Sequence, residues 1–318
     1  MRIAITGADG FVGHHTVEAL RAAGHEVRPL VRQLRTESDA AARAVGDIGP
    51  DTVWAPFIDD CDAVIHLAAA VHETGPETAD QEARMRRANV EATACLARAA
   101  AEFGVRRVVL ASSIKVMGET SLRPFVESDT PRPVGAYAVS KRDAELVLWQ
   151  VTAATNLEGV VLRPPLVYGP GVGANFRALL ALSNTPWPLP LAGSGALRSL
   201  LFVRNLADAL RLAATHPNAA GETFFVSDDN DVSVADLVAR LRQCFNRPRR
   251  LFAAPRAALR GAARLAGRVD ALARLFEPLQ ASPAHLRSRL SWTPPATVDQ
   301  GLASTASWFA RQQSRHQP

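Results

Sequence analysis

Nowhere do about 18 apolar residues run uninterrupted, the length a membrane-spanning helix needs, although 47% of the 318 residues are hydrophobic. Cysteine is scarce. Cys61, Cys95 and Cys244 stand far apart with no CxxC spacing, which excludes a disulfide framework or thiolate metal centre. They read as small buried hydrophobes in a reducing compartment. The eight histidines form no HxxxH or HxH pair, so no metal site is expected. Met1-Arg2-Ile3-Ala4-Ile5 passes straight into a glycine loop, with no apolar leader before it, and a cytoplasmic address is expected. Internal repeats and long low-complexity tracts are also missing.

The formal charge of +5 draws mainly on arginines in the last third, with no nucleic-acid-binding motif beside them. An anionic small substrate, or general arginine usage, explains it, and no nucleic-acid partner is expected. Arg256, Arg260, Arg264 and Arg268 recur every four residues on a predicted helix. They form either a membrane-facing stripe or a solvated face. The apolar spacing of Leu265, Val269, Leu272 and Phe276 favours ordinary packing.

The first half alternates short β-branched runs with helical spacing, the pattern of a parallel sheet wound with helices. Strands are expected at Arg2–Ile5, Glu26–Val31, Ala63–Leu67, Arg107–Ala111 and Gly159–Leu162. Helices are expected at Phe11–Ala23, Glu82–Phe103 and Tyr137–Ala154. Proline clusters at Pro164-Pro165, Pro186–Pro190 and Pro294-Pro295 mark loops and a change of architecture. The expected fold is α/β: a Rossmann-type doubly wound parallel sheet with a smaller, mixed C-terminal substrate lobe. A dinucleotide-binding domain over residues 1–165, completed by about 197–215, would precede a lobe over 166–318.

Thr6-Gly7-Ala8-Asp9-Gly10-Phe11-Val12-Gly13 lies between the first strand and the first helix. Glycines there permit a tight turn and let a pyrophosphate approach the backbone at the positive end of a helix. The G-x-x-G-x-x-G spacing serves either that purpose or a plain strand-to-helix turn; its place after an apolar strand favours the first. The second strand ends in Leu30-Val31-Arg32-Gln33, without the carboxylate that binds a ribose diol and repels a 2′-phosphate. Arg32, with Arg35 nearby, either clamps such a phosphate or is a solvated surface arginine.

Only two tyrosines are present, and one opens Tyr137-Ala138-Val139-Ser140-Lys141. Residues four apart share a helix face, so Lys141 can stand beside the Tyr137 phenol. An adjacent ammonium is expected to lower the phenol pKa into working range. About two dozen residues earlier, Val108–Gly118 (V-V-L-A-S-S-I-K-V-M-G) ends a buried strand in two serines, where Ser113 can hydrogen-bond a substrate oxygen.

Together these motifs resemble the extended short-chain dehydrogenases/reductases across nearly the whole chain. Thr6–Gly13 is similar to that family's TGxxGxxG loop, Asp47-Ile48 to its adenine-contacting pair, and His66-Leu67-Ala68-Ala69 to its HLAA strand end. Asn89 stands where the family keeps an asparagine supporting the active-site helix. The resemblance implies a Ser113–Tyr137–Lys141 triad for hydride chemistry. It implies a cofactor against Gly7, Ala8, Gly10, Phe11, Val12, Gly13, Arg32, Asp47, Ile48, Leu67, Ala68, Ala69, Asn89, Ser112, Tyr137, Lys141 and Pro164. NADP(H) is favoured by the arginines, with NAD(H) the alternative.

Val161–Gly171 (V-L-R-P-P-L-V-Y-G-P-G) resembles the segment leading into the family's sugar-nucleotide pocket, and Arg198–Asp208 resembles a region of nucleotide-sugar epimerases. By that resemblance the substrate touches Ser113, Tyr137, Asn175 and Arg198. Arg198 would grip the diphosphate, or else make a plain salt bridge. Ile114-Lys115 stands where the 4,6-dehydratases carry an Asp-Glu pair, so elimination of water is not expected. Ser112–Glu119 (S-S-I-K-V-M-G-E), Trp187–Leu191 and Leu290–Pro295 resemble bacterial UDP-4-keto-6-deoxy-HexNAc reductases of O-antigen synthesis, which usually carry asparagine at Met117. Three functions follow as expectations: a UDP-sugar 4-ketoreductase first, a UDP-hexose 4-epimerase with bound NAD second, and a non-catalytic dinucleotide sensor third. A homodimer is the expected assembly by resemblance, with the UDP-sugar as the small-molecule partner.

Overall fold

The computed structural model describes residues 1–35, 39–71, 78–255 and 277–315. The arginine stripe at Arg256–Arg268, with Leu265, Val269, Leu272 and Phe276, lies outside the described residues.

The chain begins β1 (Arg2–Thr6), α1 (Phe11–Ala22), β2 (Glu26–Val31), β3 (Arg43–Ala44), α2 (Ala55–Ile58) and β4 (Ala63–His66). A nearly continuous helical stretch follows: α3 (Ala79–Met85), a π-helical turn (Arg86–Glu91) and α4 (Ala92–Glu102). Then come β5 (Arg107–Ala111), a 3₁₀ turn (Ile114–Met117), α5 (Ala136–Ala154), β6 (Glu158–Arg163), β7 (Leu166–Tyr168) and α6 (Ala174–Ser183). The chain continues with β8 (Leu197–Arg198), β9 (Leu200–Phe202), α7 (Val203–Thr215), β10 (Thr223–Phe225), β11 (Val232–Ser233) and α8 (Val234–Cys244). After the second break lie α9 (Ala284–Leu290) and α10 (Val298–Arg315).

Seven strands form one parallel sheet in the order β10-β6-β5-β4-β1-β2-β3. Apart from the exposed edge strand β3, the strands are short and mainly apolar because both faces are covered. Alternate side chains go to opposite layers: Ile3 and Ile5 pack with Leu206, Leu210 and Leu290 on one face. Ala4, Val64 and Val108 pack with Leu96, Ala144 and Leu148 on the other. Thus α1, α7 and α9 cover one side, and α4 with α5 the other.

The strand order turns at β1: the chain winds outward through β2 and β3, then returns to build β4, β5, β6 and β10 on the other side. In such a sheet the crevice at the carboxyl ends of the two central strands, here β1 and β4, is where ligands bind. A second lobe gathers β7 with β9, β8 with β11, and α6, α8 and α10 around Tyr168, Phe176, Phe202, Leu237 and Leu302. Tyr168 ties the lobes. Its hydroxyl donates to Asp228 at 3.0 Å, and Asp228 also accepts from the Phe202 backbone N–H and the Asn205 amide.

Candidate active site

The glycine loop closes where β1 meets α1. Gly7 takes a positive φ of 68°, and a Cβ there would lie 2.9 Å from the Ala68 nitrogen. A Cβ on Gly13 would collide with the Gly7 carbonyl oxygen and come within 2.7 Å of the Ala8 Cα. Thr6, which opens the loop and was given no contact of its own, supports the facing strand end: its Oγ1 accepts N–H bonds from Leu67 (3.2 Å) and Ala68 (3.1 Å). The first turn of α1 holds no acidic side chain, so its unpaired backbone N–H groups stay suited to an anion. Ala8 is buried beneath this loop, Phe11 and Val12 are half-buried, and Leu67, Ala68 and Ala69 form the opposite wall. The cradle fits a dinucleotide: side chains larger than hydrogen are excluded where its phosphates must approach.

At the outer end Val31 closes β2 without a carboxylate. The structure nonetheless supplies one from the loop after β3, because Arg32 Nε lies 3.1 Å from Asp47 Oδ1, both side chains exposed. Two separately expected cofactor contacts therefore pair with each other. Asp47 also edges a cavity of about 320 Å³ with Val45, Gly49, Phe57 and Arg87, while Ile48 packs into the core behind it.

The residues expected to be catalytic converge from two elements. Ser113 follows β5 and caps the 3₁₀ turn, its hydroxyl accepting the Lys115 N–H at 3.2 Å. Tyr137 sits in the first turn of α5, and burial raises its phenol pKa, partly offset by its interaction with the Ser113 hydroxyl. This reverses the direction expected from a neighbouring ammonium. The phenol is held as an acid. Burial pushes Lys141 down to about 8, with the Glu145 carboxylate opposing the fall. His66 ends β4 with Nδ1 2.7 Å from Thr6 Oγ1 and Nε2 buried without a partner. Burial, then the charge of Lys141, pushes its pKa down to about 3, so it is neutral.

Asn89 lies in the π-helical turn, a local insertion common at functional sites. Its amide accepts from the Ala70 N–H at 2.7 Å and donates to the Ser140 hydroxyl at 2.9 Å. It thus bridges the loop after β4 to the turn of α5 between Tyr137 and Lys141. Ser112 turns its hydroxyl away from Ser113 to donate to Glu145. Sequence reasoning missed Glu145 and its partner Arg163. An acidic residue on the buried face of a helix, and an arginine ending the apolar V-V-L-R of β6, were the available signals.

Of the remaining cofactor-side expectations, Pro164 is buried and its carbonyl accepts the Ile114 N–H at 2.9 Å, joining β6 to the serine turn. Asn175 is exposed in the first turn of α6. Arg198 is half-buried on β8 and donates to the Glu277 carbonyl at 2.7 Å. The structure therefore brings Ser113, Tyr137 and Lys141 to one place and leaves Asn175 and Arg198 on the second lobe. Among the described residues no cluster of metal ligands occurs, and no helix is long and apolar enough to cross a membrane.

Residues 3–227 match the NAD dependent epimerase/dehydratase family. The chain belongs to that family. It is 34% identical over 317 residues to a UDP-glucose 4-epimerase of Vibrio cholerae, covering 98% of this chain and 97% of that one. It is 28% identical to a dTDP-4-dehydro-6-deoxy-D-allose reductase of a Streptomyces species, covering 96% and 95%. Among solved structures, MoeE5 in complex with UDP-glucose and NAD superposes with a TM-score of 0.78 at 26% identity, covering 98% of this chain and all of that one. The parallel sheet with flanking helices is thus the Rossmann-type fold of this enzyme family.

Proposed function

We propose that the protein is an NADPH-dependent reductase of the 4-keto group of a UDP-6-deoxy-N-acetylhexosamine. The observation that carries the reading is the convergence of Tyr137, in the first turn of α5, on the Ser113 hydroxyl after β5, which offers a ketone oxygen both a proton donor and a hydrogen bond. The absence of the dehydratase Asp-Glu pair at Ile114-Lys115 supports it. So does the likeness to a relative named as a reductase of a 4-keto-6-deoxy nucleotide sugar.

The loop Gly7–Gly13 and the wall Leu67–Ala69 would hold the dinucleotide pyrophosphate, Lys141 the nicotinamide ribose, and Arg32 a 2′-phosphate. When bound, the nicotinamide supplies the hydride. Ser113 orients the carbonyl oxygen at C4, and Tyr137 gives that oxygen its proton. Asn175 and Arg198 would meet the diphosphate from the second lobe. The reaction would serve surface-polysaccharide synthesis in the cytoplasm, with the enzyme as a homodimer.

A second reading, 4-epimerisation with retained NAD, is favoured by the 34% identical Vibrio cholerae relative. The two differ in what must be added. UDP-4-keto-6-deoxy-GlcNAc with NADPH should give a 4-hydroxy product identifiable by NMR. Conversion of UDP-GlcNAc or UDP-glucose without added reductant would instead establish the epimerase.

Cofactor choice is separable. The Arg32–Asp47 pair is exposed and worth about 1 kcal/mol or less, so a 2′-phosphate can displace Asp47 from the guanidinium. Arg32→Asp is expected to weaken NADPH binding by about tenfold or more while changing NADH little. Equal weakening of both cofactors in a titration would remove Arg32 from the phosphate site. Arg198→Ala should raise the nucleotide-sugar KM by about tenfold or more, reflecting the loss of a charge-assisted bond of about 1.5–3 kcal/mol. An unchanged KM would place the diphosphate elsewhere.

A further inference from the structure

One corner of the second lobe carries charge of a single sign. No aspartate or glutamate occurs from Gly159 to Ala207 or from Leu237 to Pro255. The structure joins these two stretches edge to edge. The Leu189 N–H donates to the Arg250 carbonyl at 2.9 Å, the Phe252 N–H to the Leu189 carbonyl at 3.0 Å, and the Ala192 N–H to the Phe252 carbonyl at 3.2 Å. Leu189 and Leu251 turn inward against Val234 and Val238 of α8, so Arg250 and Phe252, on either side of Leu251, are left exposed. Arg247 and Arg249 are exposed in the turn before them, and Arg247 Nε donates to Asn184 Oδ1, just past α6, at 3.3 Å.

Large apolar side chains stand in water at the same corner. Trp187, two residues before Leu189, is 72% exposed, Phe252 48%, and Leu182, two residues before Asn184, 41%. Beneath the basic turn, near the end of α8, Arg242 is wholly buried. Its Nε donates to the Pro248 carbonyl at 2.7 Å and its carbonyl accepts the Arg247 N–H at 2.8 Å, which pins the turn in place. Its Nη1 and Nη2 are buried without partners. Among the described residues no carboxylate pairs with Arg242, Arg247, Arg249 or Arg250. A buried guanidinium without a counter-charge is costly, and the charges of Arg247 and Arg250 add to that cost. Packing alone gives no reason to keep it; an anion outside the chain would offset it.

We propose that this corner, with Leu182, Trp187 and Phe252 set among Arg247, Arg249 and Arg250, docks the protein on the surface of an anionic phospholipid bilayer. Guanidinium groups suit the headgroup phosphates, and exposed aromatic rings suit the boundary between headgroups and acyl chains. None of these residues belongs to the site assigned to the dinucleotide or the sugar, so the proposal does not rest on which sugar is reduced.

The full chain can be floated with vesicles of phosphatidylcholine alone and of equal parts phosphatidylcholine and phosphatidylglycerol. It should bind the anionic vesicles about tenfold or more tighter, and high salt should release it. Arg249→Gln/Arg250→Gln should weaken that binding by about tenfold or more. Phospholipids brominated on their acyl chains should quench part of the wild-type tryptophan fluorescence. Trp187→Leu should lose that quenching while still binding through its arginines. All the substituted side chains are exposed, so unchanged melting temperatures should show that both variants fold. Equal binding to the two vesicles, no binding to either, unchanged binding of the arginine variant, or quenching that survives Trp187→Leu would each overturn the proposal. So would a melting temperature raised by inorganic phosphate, or binding of single-stranded DNA, without binding to vesicles; the corner would then serve a free anion or a nucleic acid.

Discussion

Tyr137→Phe is expected to lower kcat by about 10²–10⁴-fold and leave cofactor affinity near its normal value. The ring is half-buried in the first turn of α5, and phenylalanine fills the same space, so fold and cofactor cradle should survive. What disappears is a single hydroxyl that faces Ser113 and whose pKa burial raises. Stopped-flow single-turnover kinetics with a fluorescence titration of the cofactor separates the two effects. Retention of more than about a tenth of kcat would mean that another group protonates the product.

Lys141→Met should act in opposite directions on activity and stability. Turnover should fall by on the order of 10²-fold or more, because the ammonium that would anchor the nicotinamide ribose is gone. Stability should rise. The folded-state pKa, pushed down by burial to about 8, lies below the ordinary value of 10.5. At neutral pH the unfolded chain therefore binds this proton more tightly than the native protein does. That imbalance costs the wild type on the order of 3 kcal/mol. The cost is fully present below about pH 8 and disappears as pH rises towards 10.5. Wild-type stability from this group thus climbs between about pH 8 and 10.5, and the methionine variant should lack that climb. Denaturant melts at pH 7 and pH 9.5 check both signs. A variant less stable than wild type at pH 7 would show that Lys141 contributes more to the fold than its burial costs.

The sheet and the glycine loop could be read from sequence because both depend on local pattern. Parallel strands buried on two faces appear as unbroken apolar runs, as in Val108–Leu110, and Gly7 and Gly13 stand where any Cβ would clash. The two-residue β3, the three-residue β10 and the lobe strands β8 and β11 are too short to show a period. The helix over Glu82–Phe103 was expected as one piece; the π-helical turn at Arg86–Glu91 that aims Asn89 has no one-dimensional signature.

Charge balance was harder still. Arg32 with Asp47, and Glu145 with Arg163, are partners 15 and 18 residues apart, joined only when neighbouring elements pack. The sign of the Tyr137 shift was misjudged for the same reason. A four-residue spacing suggests Lys141 nearby, but the burial that raises the phenol pKa belongs to the tertiary structure.

In the proposed reaction, hydride arrives at C4 of a UDP-sugar from an exchangeable nicotinamide. NADPH carrying deuterium at nicotinamide C4, in separate R and S preparations, can be incubated with UDP-4-keto-6-deoxy-GlcNAc, and the product examined by NMR and mass spectrometry. One preparation should place a single deuterium on sugar C4, with the NADPH consumed equal to the product formed. A product with no deuterium at C4 from either preparation, or turnover of a UDP-sugar with no NADPH consumed, would contradict it.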